Sequence, residues 1–364
     1  MQIDMHYYGT YAMARAAGVS KVAAQNIATA AQFVDDSAKK GESKLFDDGS
    51  RFYYQATAHH AEDLKNHEEE NQRHVWVPFH FIPGNEGETF AERLVCRKDS
   101  QIAKDMINFN LSLSERSYFL ELIGITAHVY ADTFAHYGFS GISHQLNMIT
   151  DGTLEFLNLK DTEIKNHIEL KAANFLKKYN ISFPNIVSAV VERGATLISK
   201  GVIGHGAVLT NPDRPYLTWR YVTEHPQQEP VERENLSDFM EGCEKLHGLF
   251  RRFLEARPDY AESSGLDFAT IADRVQSVLK EQAPREGRID AWQQAAESGD
   301  IFSGAGEKIP EYGGDSWISK RDSMAGDDSK IILDEPVYRF YQAAQVHRAH
   351  VLRDLLPKYD LVVA

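Results

Sequence analysis

Residues 114–136 read SERSYFLELIGITAHVYADTFAH. The stretch is apolar on most sides of a helical projection and free of proline, with Ser114 as a candidate N-cap and Gly138 following as a stop signal. A helix apolar nearly all round is a buried, central one. His128, Asp132 and His136 stand out against that background. Residues four apart on a helix project from nearly the same face, so three ligand-type side chains form a ladder in what reads as the core. Buried ionisable groups are costly unless paired or metal-bound. A plain His–Asp–His hydrogen-bonded ladder at a helix edge is the bland alternative, and metal is the favoured reading.

Working outward, most other segments also read as helices. From Ser20, a plausible N-cap, SKVAAQNIATAAQFV places Val22, Ala23, Ile27, Ala30, Ala31 and Val34 at helical spacing. Residues 87–107 look amphipathic, and further helices are expected near 155–179, 185–200, 236–256, 266–283 and 335–356. Strand signals are scarce. Residues 74–83 (HVWVPFHFIP) could be extended, although two prolines make a poor sheet strand. Residues 299–332, rich in Gly, Ser and Asp, read as a long irregular insertion. No internal repeat or low-complexity linker splits the chain, so the expectation is an all-α fold in one domain over residues 1–364.

Several more residues carry candidate chemistry. His80 in VPFHFIPG is bracketed by apolar neighbours and by Pro78 and Pro83, as a core histidine or a ligand. His6 lies two residues after Asp4 and before an apolar helix. Asp35 and Asp36 end the 20–34 helix, where paired acids oppose the helix dipole. They form either a solvated helix end or, with one carboxylate turned inward, a ligand or general base. His205 sits between Gly204 and Gly206, which let the backbone approach something closely; Asp213 follows in a Pro-flanked turn near Arg214 and Arg220. Of His59 and His60, one could face a cavity and the other solvent. His67 and His74 flank the charged run NHEEENQRH, and His347 and His350 are taken as surface residues or as supports for the ligands.

Composition narrows the function classes. The chain has 364 residues, 43% hydrophobic, ample for a large core. Its formal net charge of -14 disfavours a nucleic-acid partner, because an acidic surface repels phosphate backbones. Two cysteines far apart give neither a disulfide framework nor a thiolate zinc site. No signal peptide and no apolar run of about 18 residues is found, so a cytoplasmic protein without membrane insertion is expected.

The order His6, Asp35/Asp36, His80, His128-x-x-x-Asp132, His136 and a later His resembles the zinc-dependent phospholipase C and single-strand nuclease superfamily. That resemblance implies an all-helical fold gathering up to three zinc ions, with Asp132 bridging two metals, Asp35 as a metal-binding, base-like carboxylate and His136 opening the third ligand set. The chain departs from the pattern. The superfamily uses a processed N-terminal amine as ligand, and here the Met1 amine or the Asp4 carboxylate would have to substitute. The closing His-x-x-x-Glu is absent, so His144 or His205, with Asp213, would replace it. A closer resemblance is to a bacterial family of unknown function, marked by His-Tyr-Tyr at His6, the Val-Asp-Asp helix end, His-Phe-x-Pro-Gly at His80 and Asp-Thr-Phe-Ala-His-x-Gly-Phe-Ser-Gly from Asp132.

These readings converge on a di- or trinuclear metal site, with zinc favoured and manganese or iron as alternatives, held by His6, Asp35, His80, His128, Asp132, His136 and His205. The expected function is hydrolysis of a small phosphorylated substrate. Asp35 or Asp36 would orient the water and Arg214 or Arg220 would hold the phosphate. The rival is a non-catalytic protein whose metals are structural or serve a partner. A His/Asp-type phosphohydrolase is disfavoured because no His-Asp dipeptide occurs.

Overall fold

The structure, a computed structural model, describes residues 1–38, 43–60, 64–150, 152–159, 162–166, 168, 170, 202–302, 304–324 and 329–363. The chain enters through a π-helical turn at Asp4–Gly9, then forms α1 (Thr10–Ala16) and α2 (Lys21–Asp36). After a short antiparallel hairpin of β1 (Ser43–Leu45) and β2 (Arg51–Tyr53) come α3 (Gln101–Ser112) and α4 (Phe119–His136). The C-terminal half supplies α5 (Asn235–Ala256), α6 (Phe268–Leu279), α7 (Arg285–Glu297), α8 (Gly314–Ser323) and α9 (Pro336–His350).

Helix α4 is central, as its apolar sequence predicts: apart from Leu120 every residue in it is buried. It packs against α2, α3, α5 and α9. Its N-terminus lies at Phe119, not Ser114, and Tyr137 caps its end before Gly138 turns at positive φ. The α2–α4 contact is the closest. A Cβ on Gly124 would fall 2.4 Å from the Ile27 carbonyl oxygen and 2.5 Å from the Ala30 Cβ. Only a residue with no side chain permits this approach. Three rungs join the two helices in the same direction, Asn26 to Glu121, Ala30 to Gly124, and Asp35 to His128. The helices therefore run side by side in parallel and deliver Asp35 to the ligand ladder.

The all-α expectation is corrected to a mainly helical fold with, among the described residues, two small sheets. The second sheet orders β3 (Glu155–Phe156), β4 (Thr218–Val222) and β5 (Pro230–Glu234) antiparallel, with Trp219 opposite Arg233. In β4 the sequence TWRYV turns Trp219 and Tyr221 inward and Arg220 outward, a period-two pattern of aromatic and β-branched residues that favours a strand. Of residues 74–83, those up to Phe79 are helical rather than extended, with a π-turn at Gln72–Trp76 and a helical turn at Val77–Phe79, after which the chain leaves the helix and Pro83 forms a β-bridge to Cys96. Pro78 fits there because the first turn of a helix leaves its N–H groups unpaired. The 87–107 expectation resolves into a short helix at Phe90–Arg93 and the start of α3. The 299–332 stretch is only partly irregular: it contains α8, and Ile301, Phe302, Ile309 and Met324 are buried. The helix expected at 185–200 lies outside the described residues, as does part of the one expected at 155–179. No helix among the described residues is long and apolar enough to cross a membrane.

Two apolar clusters fill the interior. The larger surrounds α4 and includes Phe79; the smaller lies under the three-stranded sheet and includes Phe81, Phe139, Trp219 and Tyr221. His80 stands between Phe79 and Phe81, so the segment straddles the seam between the two clusters.

Candidate metal centre

The His128–Asp132–His136 face of α4 opens onto that seam. Asp132 is buried and its two oxygens look in different directions. Oδ1 accepts a bond from the Met1 ammonium at 2.6 Å and lies 3.1 Å from His6 Nε2. Oδ2 lies 3.2 Å from His128 Nε2, 3.3 Å from His80 Nδ1 and 3.5 Å from His136 Nδ1. Asp35 approaches from α2, its Oδ1 at 3.8 Å from His80 Nδ1 and 3.9 Å from His128 Nε2. At the other end Asp213 Oδ1 lies 3.3 Å from His136 Nε2, 3.4 Å from the Met1 nitrogen and 3.9 Å from His205 Nε2.

Backbone carbonyls orient three of these imidazoles. His80 Nε2 donates to the Thr57 carbonyl at 2.9 Å, His136 Nδ1 to the His80 carbonyl at 2.9 Å, and His205 Nδ1 to the Leu209 carbonyl at 2.6 Å. Each bond fixes a proton on the outer nitrogen, and in a neutral ring it leaves a lone pair on the inner one. His80 Nδ1, His136 Nε2 and His205 Nε2 thus all face carboxylate oxygens. Acceptors gathered on acceptors require positive charge among them, from imidazolium protons or from a cation. His6 has no hydrogen-bond partner at either nitrogen in its buried pocket, and His128 Nδ1 has none either.

The electrostatics follow from burial and crowding. Burial, then His128 and the N-terminal amine, push the His6 imidazole down to about 3; burial, against the pull of Asp213, brings His205 to about 4. Both therefore stand as neutral rings, the form that ligates metal. Burial works against the carboxylate of Asp132, yet His136, the N-terminal amine, His128 and His6 outweigh it and hold Asp132 well below its usual range. Asp213 is lowered in the same way, against burial, by the N-terminal amine and His205. Burial opposes the Met1 ammonium too, but Asp132, Asp213 and Asp35 raise it to about 11.

Among the described residues, three groups have one ligand atom per residue, all within 4.8 Å of one another: His6, Asp35 and His128; His80, His128 and Asp132; His136, His205 and Asp213. The first two share His128, so the non-overlapping sets are two. Imidazole nitrogens with carboxylate oxygens and no thiolate make a donor set that suits zinc.

All seven expected metal ligands are brought together here, with His205 joined to α4 through a ring contact to His136 at 4.7 Å. Asp213 joins them as a ligand-type oxygen beside His205, the pair expected to stand in for the closing His-x-x-x-Glu. Of the two substitutes for an N-terminal ligand, the Met1 amine stands at the centre, whereas Asp4 pairs with Arg288 at 2.7 Å. That arginine also donates to Gln2 Oε1 at 2.6 Å, anchoring the segment that carries Met1 and His6. Nothing in its surroundings in the sequence marks Arg288.

Other candidates point elsewhere. Asp36 accepts from Tyr312 and from Gln32, because successive helix residues diverge by about 100° and Asp35 already takes the inward direction. Arg220 pairs with Glu155 across the sheet at 2.6 Å and is half exposed. Arg214 is buried, donates from Nη2 to Thr210 Oγ1 at 3.2 Å and has no partner at Nε. His144 accepts from the Leu146 amide as the cap of a short turn. His347 and His350 are buried, not surface: His347 Nε2 donates to the Pro78 carbonyl at 2.8 Å, and His350 stacks on Phe109.

No curated protein and no solved structure matches the chain, so the likeness to the zinc-dependent phospholipase C and nuclease superfamily gains no support from them. The family comparison does match, over residues 1–355 and hence nearly the whole chain. The chain belongs to that family, DUF6765, a family of unknown function.

Proposed function

We propose that the protein is a metal-dependent hydrolase of phosphate esters, with two ions of zinc type held in the seam between its two apolar clusters. The observation that carries this reading is the set of three imidazoles whose outer nitrogens are tied to backbone carbonyls while their inner nitrogens converge on Asp132 and Asp213. One ion would take ligands from His6, Asp35, His80, His128 and Asp132, the other from His136, His205 and Asp213, with the Met1 amine between them. Such a pair supplies an activated water and charge to stabilise the attacking and leaving oxygens of a phosphoester.

The chain's own residues do the rest. Asp35 and His205 keep 32% and 19% of their side chains exposed, against 5% or less for the other five expected ligands, so substrate approaches from their side. Asp35 orients the attacking water with its partly exposed carboxylate. Arg214, directly after Asp213 and unpartnered at Nε, is assigned to the substrate phosphate. An open edge on the ligand set favours catalysis over a purely structural role for the metals.

Protein purified without chelator should hydrolyse bis(4-nitrophenyl) phosphate or 4-nitrophenyl phosphate, lose that activity on chelation, and regain it with zinc or manganese. Asp132→Ala should lose both metal and activity, because its two oxygens face both halves of the centre. His59→Ala should keep its metal, because His59 bonds to Asn71 in the wall of a separate cavity. Metal-loaded protein inactive on both esters would transfer the reading to structural metals. Equal metal content in the two variants would sink the site assignment.

A further inference from the structure

A second place in the molecule carries an unsatisfied chemical demand. A cavity of about 790 Å³ lies between the segment around Tyr53–His59 and helix α9, and shares no lining residue with the metal centre. Arg348 of α9 is one of its walls and is only 9% exposed. The guanidinium donates from Nε to the His74 carbonyl at 2.8 Å, from Nη1 to Gln55 Oε1 and from Nη2 to the Ala56 carbonyl, and it lies over the Phe79 ring. Every one of these partners is neutral. Among the described residues no carboxylate lies within ion-pair distance of it, whereas buried Arg288 and Arg321 each have an aspartate. Burial draws Arg348 down to about 10, so at neutral pH it is a buried cation without a counter-charge among the described residues.

An arginine has five N–H donors, and three bonds leave two to offer. The cavity is of the size that holds a small organic ligand. Its wall also contains Arg353, Glu68 and Glu70, so with Arg348 the formal charges cancel, and Glu70 sits 3.8 Å from His74. A ligand with a single negative charge suits that balance better than a phosphate dianion, which the two glutamates would repel. Tyr53, Val75 and Leu352 supply apolar wall for an organic body. We propose that this cavity binds a small organic acid, whose planar carboxylate rests on the two spare donors of the Arg348 fork.

The test is calorimetric titration of the metal-loaded protein with benzoate and with butyrate, and with inorganic phosphate for comparison. Ala349 is exposed on α9 and lines the cavity, so Ala349→Phe fills the space without removing a bond of Arg348. Saturable binding of either carboxylate, weakened at least about tenfold in both Ala349→Phe and Arg348→Gln, is the expected result. Should Arg348→Gln not fold, Ala349→Phe decides alone. Three results overturn the proposal: no saturable binding of either acid, phosphate binding tighter than that of both acids and weakened by Ala349→Phe, or carboxylate binding unchanged in Ala349→Phe. The last would place the acid at the metal centre, and it leaves the phosphoesterase reading untouched.

Discussion

Glu121 is buried on α4, three residues before Gly124; its Oε1 accepts from Asn26 at 2.9 Å and its Oε2 has no partner. Burial raises its carboxyl from 4.5 to about 7, against the Asn26 bond and the more distant charge of Arg339. A folded-state value above the unfolded one means the folded state prefers the proton. That preference stabilises the protein fully below pH 4.5 and is lost as pH rises through about 7. The shift corresponds to roughly 3 kcal/mol at most. Glu121→Gln removes the titration, so its melting temperature relative to the parent should rise between pH 5 and pH 8. A difference that stays constant across that range would show that Glu121 does not titrate there. The sequence displayed Glu121 only as one acid in an apolar helix. Its partner is set by how α2 lies on α4, which no local pattern states. The ligand ladder was legible for the opposite reason: its four-residue spacing is a local property of one helix.

At the scale of elements, the parallel contact of α2 and α4 decides whether Asp35 reaches the centre. Gly124 permits that contact, and a substitution there separates two opposed effects. Alanine is the better helix former by about 1 kcal/mol, so on an exposed face Gly124→Ala would stabilise the protein. Here its methyl group would press on the Ile27 carbonyl oxygen at 2.4 Å and the Ala30 Cβ at 2.5 Å, and overpacking a core costs about 1–3 kcal/mol. Net destabilisation of up to about 2 kcal/mol in urea is expected, with reduced metal content as Asp35 moves off His128. A stabilised Gly124→Ala would contradict the close packing. The long helices were readable from periodicity: α2, α5 and α6 fall within a few residues of their expected bounds. The exceptions each have a physical cause. TWRYV of β4 is five residues long, too short to compete with helical signals around it, and the strand exists because Trp219 and Tyr221 find a second core to enter. HVWVPFHFIP carries β-branched and aromatic residues that suit a strand, but Pro78 starts a helical turn that aims His80 into the seam. Helix α7, with few apolar positions, gave no amphipathic signal, yet it supplies Arg288.

For the whole molecule, the centre is a junction between two bodies of core rather than a pocket within one. Helix α4 is held by the large cluster regardless of metal, whereas the segment from Gly204 to Leu217 meets the centre through His205 and Asp213 and otherwise belongs to the small cluster. The N-terminal segment enters through Met1 and His6, with Arg288 as its other anchor. Two buried carboxylates, Asp132 and Asp213, face each other across the seam with the Met1 ammonium as the positive charge between them, and bound metal would add to it and to the histidine contacts on either side. Metal removal should therefore loosen the seam before it loosens α4. A ligand present at about a hundred times its dissociation constant stabilises by about 2.7 kcal/mol, so chelation should lower the melting temperature by roughly 5 °C. Hydrogen exchange should speed up first at residues 1–8 and 202–217, while residues 119–131 keep their protection. The two readouts fail separately. An unchanged melting temperature in protein shown to have lost its metal would deny the ions a part in stability. A loss of protection spread evenly over α4 would mean that the centre organises the large core itself, and that the two clusters are one cooperative body.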